Sequence, residues 1–344
     1  MSLTPKTPIP EGAIRFNTDS NKMEVWIGDK WMQVAVSSPN LDGGARGIVM
    51  GGTGNASNID FFTISTAGDS TSFGNLTQGA SLCASGGSHV RGLCLIGTPN
   101  HSNAIEFITI SSTGDAQDFG DIGGTNRRNT SATGSRTRML ICGGVFGSNP
   151  YSYKNEIDFV TISQTGNSVD FGDLTLGRTS PFAMSSPTRS VLGGGYHGSS
   201  PNGTNIMDFV TIASTGNASD FGDLTQINNF AGGVSCSSST RGIAMAGREA
   251  TGSTTLSEIQ KIEIATKGNA ETFGDLTQAV RSASGTGSKT RAVRIAGYAV
   301  PNNSATNTID YFPIATGGNA VDFGNLTRST YAMGTGTSND HGGL

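Results

Sequence analysis

One phrase recurs six times along this chain, and it restricts the fold more than any other feature. The copy at residues 157–175 reads IDFVTISQTGNSVDFGDLT, and each copy ends in a Phe-Gly step. The steps are Phe73-Gly74, Phe119-Gly120, Phe171-Gly172, Phe221-Gly222, Phe273-Gly274 and Phe323-Gly324. Subtracting successive phenylalanine positions gives spacings of 46, 52, 50, 52 and 50 residues. A period of that length is typical of solenoids, propellers and arrays.

Each repeat divides into four short segments that have the composition of β-strands. An apolar run closed by glycine, such as RGIVMGG from Arg46, is followed by an IDFVTIS segment, a DFGDLT segment and a run of small residues. The segments are rich in β-branched and aromatic residues, and Gly, Asn, Ser and Thr separate them, as expected for strands. The sequence shows no sustained helical periodicity.

The IDFVTIS segment is apolar on both faces, with Ile157 and Phe159 on one side and Val160 and Ile162 on the other. A strand with one solvated face alternates between apolar and polar residues, so burial on both faces requires sheets that stack. Radially packed, four-stranded blades provide that stacking. We therefore predict an all-β protein whose main domain is a six-bladed β-propeller of four-stranded blades.

The ends of the repeat region predict how the ring closes. The first blade begins on its second strand, Arg46–Gly52, whereas the chain finishes on an extra first strand, STYAMGTGT at residues 329–337. We expect this C-terminal strand to complete the first blade, which removes an open sheet edge. Residues 41–344 are then the propeller.

A small module precedes the repeats. Residues 1–10 indicate an extended arm, and residues 37–45 a linker. Between them we predict a three-stranded meander with strands Ala13–Asn17, Met23–Ile27 and Trp31–Val36. About 25 residues of meander are too few to bury a core alone. The meander must therefore dock on the repeats, on copies of itself or on a larger assembly. We expect residues 1–40 to anchor or oligomerise, with Trp26 and Trp31, the two tryptophans of the chain, as anchoring residues.

Charged residues recur in nearly every repeat, and a role that repeats is expected to be structural rather than catalytic. An arginine precedes the glycine-terminated strand each time: Arg46, Arg91, Arg138, Arg189, Arg241 and Arg291. An acid follows on the next strand at Asp60, Glu106, Asp158, Asp208 and Asp310, whereas the fifth repeat has Gln260-Lys261. We predict that the arginines bond carbonyls or carboxylates between strands, where a guanidinium is most effective.

The glycines after the apolar strand resemble the double-glycine signature of kelch-type propellers, at Gly51-Gly52, Gly143-Gly144 and Gly193-Gly194. Glycine permits a positive φ and close backbone approach there. Three repeats keep one glycine, and the downstream Tyr and Trp of that family are missing. The resemblance is therefore to the broad kelch or galactose-oxidase-like class.

The loop between the glycine-terminated strand and the IDFVTIS strand varies most among the repeats. Because strands of a blade alternate in direction, all six loops are expected on one face of the disc, where loops carry function. Aromatic and imidazole side chains lie in three of these loops: Phe146, Tyr151, Tyr153, Tyr196, His197 and Tyr298. Beside Asn and Ser, they suit a carbohydrate or a protein surface. Long loops also drift without function, and that alternative stays open.

Composition and motifs argue against several functions. Charged residues are only 14% and the net charge is −4, unlike a nucleic-acid-binding surface. No apolar run approaches the ~18 residues that span a bilayer, and no secretory signal is visible. Cys83 and Cys94 flank a turn, so they could face each other across two antiparallel strands, where a disulfide is possible but not required. Without HxH, HExxH, GxSxG or P-loop motifs, we expect no catalytic residues, metal or cofactor.

The stretch GAIRFNTDSNKMEVWIGDKWMQV resembles a module common in virion proteins of tailed bacteriophages, especially fibres and appendages. The matching positions are Gly12, Ile14, Arg15, Phe16, Asn17, Thr18, Glu24, Gly28 and Trp31. The repeats resemble structural proteins of marine and cyanobacterial tailed phages. The two resemblances together cover nearly the whole chain.

The resemblance implies a non-enzymatic virion component, of fibre, appendage or decoration type, that is assembled in the host cytoplasm and exposed on the particle. The expected partners are other virion proteins through the N-terminal module, further copies of the chain, and a host-surface glycan; neither nucleic acid nor membrane insertion is expected. Two alternatives stay open. One is a galactose-oxidase-like or glycan-cleaving enzyme, and the other is a bacterial carbohydrate-binding or adhesion propeller.

Overall fold

The computed structural model describes residues 8–18, 22–34, 45–99, 102–148, 150–199, 201–229, 235–249, 254–331 and 336–344. Within these residues every regular element is a β-strand, and no helix that could cross a bilayer is found. The chain forms two compact units, residues 1–42 and 43–344. Parts of several predicted segments lie outside the described residues. They are the arm at 1–7, the third meander strand at 35–36, the linker at 37–44, a first strand at 231–234, the closing strand at 332–335, and four variable loops at 100–101, 149, 200 and 250–253.

The first unit is a three-stranded antiparallel sheet with strands Ile14–Asn17, Lys22–Ile27 and Lys30–Gln33. Residues paired across neighbouring antiparallel strands point to the same side of the sheet. Trp26 pairs with Trp31, and the two rings pack edge-on with centroids 5.3 Å apart. The predicted anchoring residues thus lie together on one face of the meander.

The second unit contains six antiparallel sheets, each with four main strands. We number these blades 1 to 6 in the chain order of their second strands. The innermost strands are Thr337–Ser338, Ala84–Gly87, Ser131–Gly134, Phe182–Ser185, Ser235–Ser237 and Ser284–Gly287. The second strands are Arg46–Met50, Arg91–Leu95, Arg138–Cys142, Arg189–Gly193, Arg241–Met245 and Arg291–Ala299. The third strands are Ala56–Thr63, Ala104–Thr109, Glu156–Thr161, Thr204–Thr211, Glu258–Glu263 and Ser304–Pro313.

The outermost strands complete the blades: Thr71–Ala80, Gln117–Asp121, Val169–Asp173, Ser219–Asn229, Glu271–Asp275 and Val321–Thr330. Short pairings are added by Val145–Phe146 with Ser152–Tyr153, by Arg248–Glu249 in blade 4 and by Val280–Arg281 in blade 6. Neighbouring innermost strands contact one another all the way around a central axis. The six-bladed propeller predicted from the repeat is confirmed.

The hydrophobic core is divided among the six interfaces between neighbouring blades. In the third strand of blade 3, Ile157 packs with Leu192 at the interface with blade 4. Val160, on the other side of the same strand, packs with Leu95 at the interface with blade 2. All four side chains are buried, and each contributes about 1.5–3 kcal/mol by leaving water. Burial on both faces explains why the IDFVTIS segment does not alternate.

The ring closes between blades 6 and 1. Thr337 and Ser338 pair with Ile48 and Gly47, and so supply the innermost strand of blade 1. A hydrophobic cluster built from both blades fills this interface, as at the others. The closing strand starts later than predicted, because residues 329 and 330 continue the outermost strand of blade 6.

The repeated phrase joins each blade to the next. In the turn after the third strand of blade 4, the N–H groups of Gly216 and Ala218 donate to the carbonyls of Phe171 and Asp173 on blade 3, both at 2.7 Å. Between these bonds, Asn217 Oδ1 accepts the N–H of Asp173 at 3.0 Å. The Thr-Gly-Asn turn of one repeat thereby covers the outer edge of the preceding blade, at the Asp-Phe-Gly-Asp segment of that blade's outermost strand.

Gly172, in the Phe-Gly step of blade 3, leaves no room for a side chain. Its φ is 143°, and a Cβ there would lie 2.5 Å from the carbonyl oxygen of Gly216 in blade 4. We expect Gly172→Ala to lower the free energy of unfolding by about 3 kcal/mol, because backbone strain and overpacking add. Urea denaturation measures the loss.

Gly216→Ala is the matched control for that variant. Its φ is similar at 155°, but a Cβ would meet nothing within 4 Å. We expect Gly216→Ala to be at least about 1 kcal/mol more stable than Gly172→Ala, since only the latter overpacks the interface. Equal losses would mean that the contact between the two blades does not require glycine.

The double glycine of blade 4 lies one residue later than predicted. The positive φ values are 66° at Gly194 and 102° at Gly195. Gly193 instead ends the second strand, where it pairs with Phe182 and Met207. The prediction was wrong because a run of three glycines matches the kelch-type pair in two registers.

Candidate functional site

The six repeated arginines link neighbouring blades. Each begins a second strand, and its guanidinium donates to the carbonyl that follows the third strand of the next blade, at 2.8 to 3.1 Å. The pairs are Arg46 with Ile110, Arg91 with Ile162, Arg138 with Ile212, Arg189 with Ile264, Arg241 with Ile314 and Arg291 with Ile64. The variable loops follow the ends of the same strands, so these arginines lie on the opposite face of the disc.

The same guanidinium groups stack on aromatic rings. Five lie over the aromatic residue of their own third strand: Arg46 over Phe61, Arg91 over Phe107, Arg138 over Phe159, Arg189 over Phe209 and Arg291 over Tyr311. In blade 5 Lys261 replaces that aromatic residue, and Arg241 lies over Phe273. The arginines are thus occupied by carbonyls and rings, and the repeated acids need other partners.

The repeated acids pair with a second set of arginines that the sequence reasoning missed. Asp208 accepts from Arg178 at 2.8 Å, and neither side chain is exposed. The pairs in three other blades are Asp158 with Arg127, Asp310 with Arg294 and Asp60 with Arg328. Glu106 accepts from the hydroxyl of Thr77, and Gln260 accepts the N–H of Thr225. The repeated charges therefore stabilise the ring and leave the loop face as the candidate binding site.

Two loops from neighbouring blades meet on the loop face. The blade 3 loop forms a hairpin between Val145–Phe146 and Ser152–Tyr153. This hairpin places Tyr153 beside Tyr196 of blade 4, with the ring centroids 5.4 Å apart in an edge-on arrangement. Gly198, two residues after Tyr196, approaches the Tyr153 ring so closely that a Cβ would collide with it. The two loops therefore present one continuous surface.

Further aromatic surface is open to solvent beside this pair. Phe146 is 44% exposed and Tyr151 is 47% exposed. The guanidinium carbon of Arg128 lies 5.8 Å from the centre of the Tyr151 ring. Ser152 and Asn155, both exposed, add a hydroxyl and an amide group to the same loop. Apolar ring faces and hydrogen-bonding groups are thus combined at one place.

The Tyr153 hydroxyl is held in its protonated form. Partial burial raises the pKa of Tyr153 to about 12, and the hydrogen bond with Tyr196 adds to the shift. Catalytic acids and bases work best with a pKa near the operating pH. At neutral pH this phenol is therefore suited to hydrogen bonding rather than to proton transfer.

The two other predicted loop residues are placed differently. His197 Nε2 lies 3.2 Å from the carbonyl oxygen of Gly203, so the imidazole bonds its own loop. Tyr298 belongs to blade 6, opposite blade 3 in a ring of six, where it packs on Tyr331 and under Arg281. Tyr298 therefore lies on the loop face but outside the cluster.

The central cavity of the propeller offers little space for a ligand. It is lined by small residues of the innermost strands and by His341, and its volume is about 50 Å³. That space suits a few water molecules, whereas ligand pockets measure ~300–1,000 Å³. Among the residues that the structure describes, no group of three or more His, Cys, Asp and Glu side chains could hold a metal ion.

The cysteines are buried free thiols. The pKa of Cys94 is raised well above its usual range, first by its hydrogen bond with Cys83 and then by burial. The two thiols therefore face each other, and Cys94 is inert at neutral pH because the thiolate is the reactive form.

The fold defines a closed six-bladed β-propeller, and the paired loops of blades 3 and 4 define its candidate binding surface. A solved structure of YjhT, a β-propeller-type protein, is similar to this chain with a TM-score of 0.60 and 8% identity. The similarity covers 75% of this chain and 87% of that one. At so low an identity it shows the fold alone. No protein-family model matches the sequence, and a search of curated proteins found no match.

Proposed function

We propose that this protein is a non-enzymatic structural component of a tailed-phage virion, and that it binds a host-surface glycan through the loops of blades 3 and 4. Support for the virion role comes from residues 12–31, which resemble a module of phage fibres and appendages. In this proposal the N-terminal module attaches to neighbouring virion proteins, and the propeller is a fibre, appendage or decoration domain exposed on the particle.

The surface shared by the two loops carries the binding proposal. The Tyr153 and Tyr196 rings support each other, while Phe146 and Tyr151 keep nearly half of their surface in contact with water. A sugar ring has an apolar C–H face that stacks on an aromatic ring, and its hydroxyls bond groups such as Ser152 and the tyrosine hydroxyls. Aromatic residues with a polar end suit such a mixed ligand.

Binding of the purified full-length chain to an array of bacterial surface polysaccharides tests the proposal. We expect the wild type to bind at least one polysaccharide. The triple variant Tyr151→Ala, Tyr153→Ala, Tyr196→Ala should bind it at least about 10-fold more weakly, since each stacked ring contributes about 0.5–1.5 kcal/mol. A titration of both proteins with that polysaccharide gives the two affinities.

The chain offers a matched control on the same face. Tyr298→Ala with Tyr331→Ala removes a pair of rings of similar geometry, 5.3 Å apart, from blade 6. This double variant should bind like the wild type, and thermal melting shows whether each variant is folded. Equal affinities for the wild type and the triple variant, or no polysaccharide bound at all, would contradict the glycan proposal.

The virion role has a separate test. Mass spectrometry of purified particles from the phage that encodes this chain should detect it, and an antibody against the propeller should label intact particles. Absence from purified particles would exclude the virion role. The glycan-binding surface would then fit the bacterial adhesion alternative.

A further inference from the structure

The three-stranded sheet of residues 14–33 has two unlike faces, and its own side chains cover only one of them. On the covered face Arg15 forms an ion pair with Glu24 at 2.7 Å and lies 4.2 Å from the centre of the Trp31 ring. Asn17 also donates to Glu24, and Trp26 packs against Trp31. We call this the tryptophan face; its ion pair and stacked rings need no further partner.

The opposite face, which we call the apolar face, is uncovered. Its side chains are exposed as follows: Ile14 64%, Phe16 55%, Met23 42%, Ile27 51% and Met32 43%. The register places them on one side, because Ile14 pairs with Val25, Val25 with Met32 and Phe16 with Met23. Lys30, which pairs with Ile27, is the one charged side chain that the described residues place on this face.

The size of the apolar face matches a protein interface. The exposed parts of the five side chains amount to roughly 450 Å², a patch size that soluble proteins usually reserve for interactions. Two such faces packed together would bury about 900–1,000 Å² in total, close to the lower limit for a specific interface. Two sheets packed ~10 Å apart would also provide the core that one meander lacks.

The rest of the chain indicates what covers this face. The other exposed large apolar side chains among the described residues belong to the propeller: Phe146 and Tyr151 share the blade 3 loop, and Val90, Val169 and Val321 are single residues on different blades. In the described part of the chain, the exposed surface that matches the apolar face in chemistry and size is therefore the same face of another copy. We propose that two copies pack their apolar faces together as an isologous, six-stranded sandwich. The contact requires nothing of the propeller loops, so it stands or fails separately from the glycan proposal.

Light scattering coupled to gel filtration of the full chain tests this contact. The wild type should have twice the 35.3 kDa mass of one chain. Phe16→Glu places a charge within the face and should give the monomer, with the dissociation constant raised at least about 100-fold. Val321→Glu is the control, since Val321 is 51% exposed against 55% for Phe16, and it should remain dimeric.

Tryptophan fluorescence separates loss of the contact from loss of the sheet. Trp26 and Trp31 are the two tryptophans of the chain, and they lie on the opposite face from Phe16. Unchanged fluorescence in a monomeric Phe16→Glu variant means that the sheet is intact and that its apolar face holds the dimer. If the fluorescence changes, a second variant shows whether the apolar faces of two copies are in contact.

That second variant is Met23→Cys, on the middle strand of the apolar face. A short bis-maleimide should capture it as a covalent dimer, whereas Val321→Cys should stay uncoupled; the native cysteines are buried. The proposal is overturned if the wild type is a monomer or has a mass of three or more chains. It is also overturned if a folded Phe16→Glu variant stays dimeric or if Met23→Cys gives no cross-link.

Discussion

Deletion of residues 336–344 is expected to abolish the cooperative fold of the propeller. The deletion removes the innermost strand of blade 1, where Thr337 and Ser338 are buried. It also removes Asn339, whose Oδ1 accepts the N–H of Arg46 at 2.8 Å. The Arg46–Met50 strand would then have an open edge. A loss comparable with the ~5–15 kcal/mol that stabilises a domain should leave aggregated or molten protein, as calorimetry would show.

A shorter deletion separates the closing strand from the residues after it. Removing residues 342–344 leaves the pairing of Thr337 and Ser338 with blade 1 in place, and it also leaves the contact of His341 with the Gly87 carbonyl. We expect that protein to melt cooperatively at a somewhat lower temperature. If the chain without residues 336–344 melted cooperatively within a few degrees of the full chain, closure by the C-terminal strand would be refuted.

The second large effect is expected for Asp208→Ala, at the fully buried ion pair between blades 3 and 4. The variant leaves Arg178 without its counter-ion in a site where neither side chain is exposed. Burial already lowers the pKa of Arg178, against the opposing attraction of Asp208. Breaking such a pair destabilises a protein by about 3–5 kcal/mol. Thermal melting should therefore show a loss on the order of 10 °C.

Two controls isolate the buried charge. Glu263→Ala breaks the exposed pair of Glu263 with Arg241, in which the side chains are 50% and 28% exposed, and should cost at most about 1 kcal/mol. The double variant Asp208→Gln with Arg178→Gln removes both charges, as blade 5 does with Gln260, and should recover much of the loss. If Asp208→Ala melted like Glu263→Ala, the pair would not be a structural element of the ring.

The regular parts of the fold were predictable because they depend on a repeated pattern. The six evenly spaced Phe-Gly steps predicted six blades. The segment around Ile157 is apolar on both faces, which predicted that the sheets stack. Closure followed from counting strands at the two ends of the repeat region. The start of the closing strand was predicted too early, because Thr330 pairs with Thr306 in blade 6 instead of joining blade 1.

The partners of the repeated acids were not predictable from the period. Arg127 and Arg178 lie in the segments that lead from an outermost strand to the next blade, Arg328 lies within an outermost strand, and Arg294 lies within a second strand. Arginines from different positions of the repeat thus reach the same acidic position on the third strand. A search for residues that recur at the same position therefore finds the acids but not their arginines.

The candidate binding site was predictable in position but not in geometry. Loop variation among the repeats indicated the face and its aromatic residues. The meeting of Tyr153 with Tyr196 depends on the short hairpin of blade 3 and on the space that Gly198 leaves for the Tyr153 ring. A hairpin in this loop recurs in blade 6, where Tyr298 pairs with Ala305, but the residues that bring Tyr153 to Tyr196 differ from one repeat to the next. The repeated pattern therefore does not predict this contact.

The central claim is that the strands shared by all repeats hold the ring together, while the loops of blades 3 and 4 bind the glycan. Amide hydrogen exchange, measured with and without the best-binding polysaccharide, tests this claim most directly. Added protection is expected in the two loops that carry Tyr153 and Tyr196, with unchanged exchange in the strands of all six blades. Protection centred on another blade or on the opposite face of the disc, with none in these two loops, would contradict that division of roles.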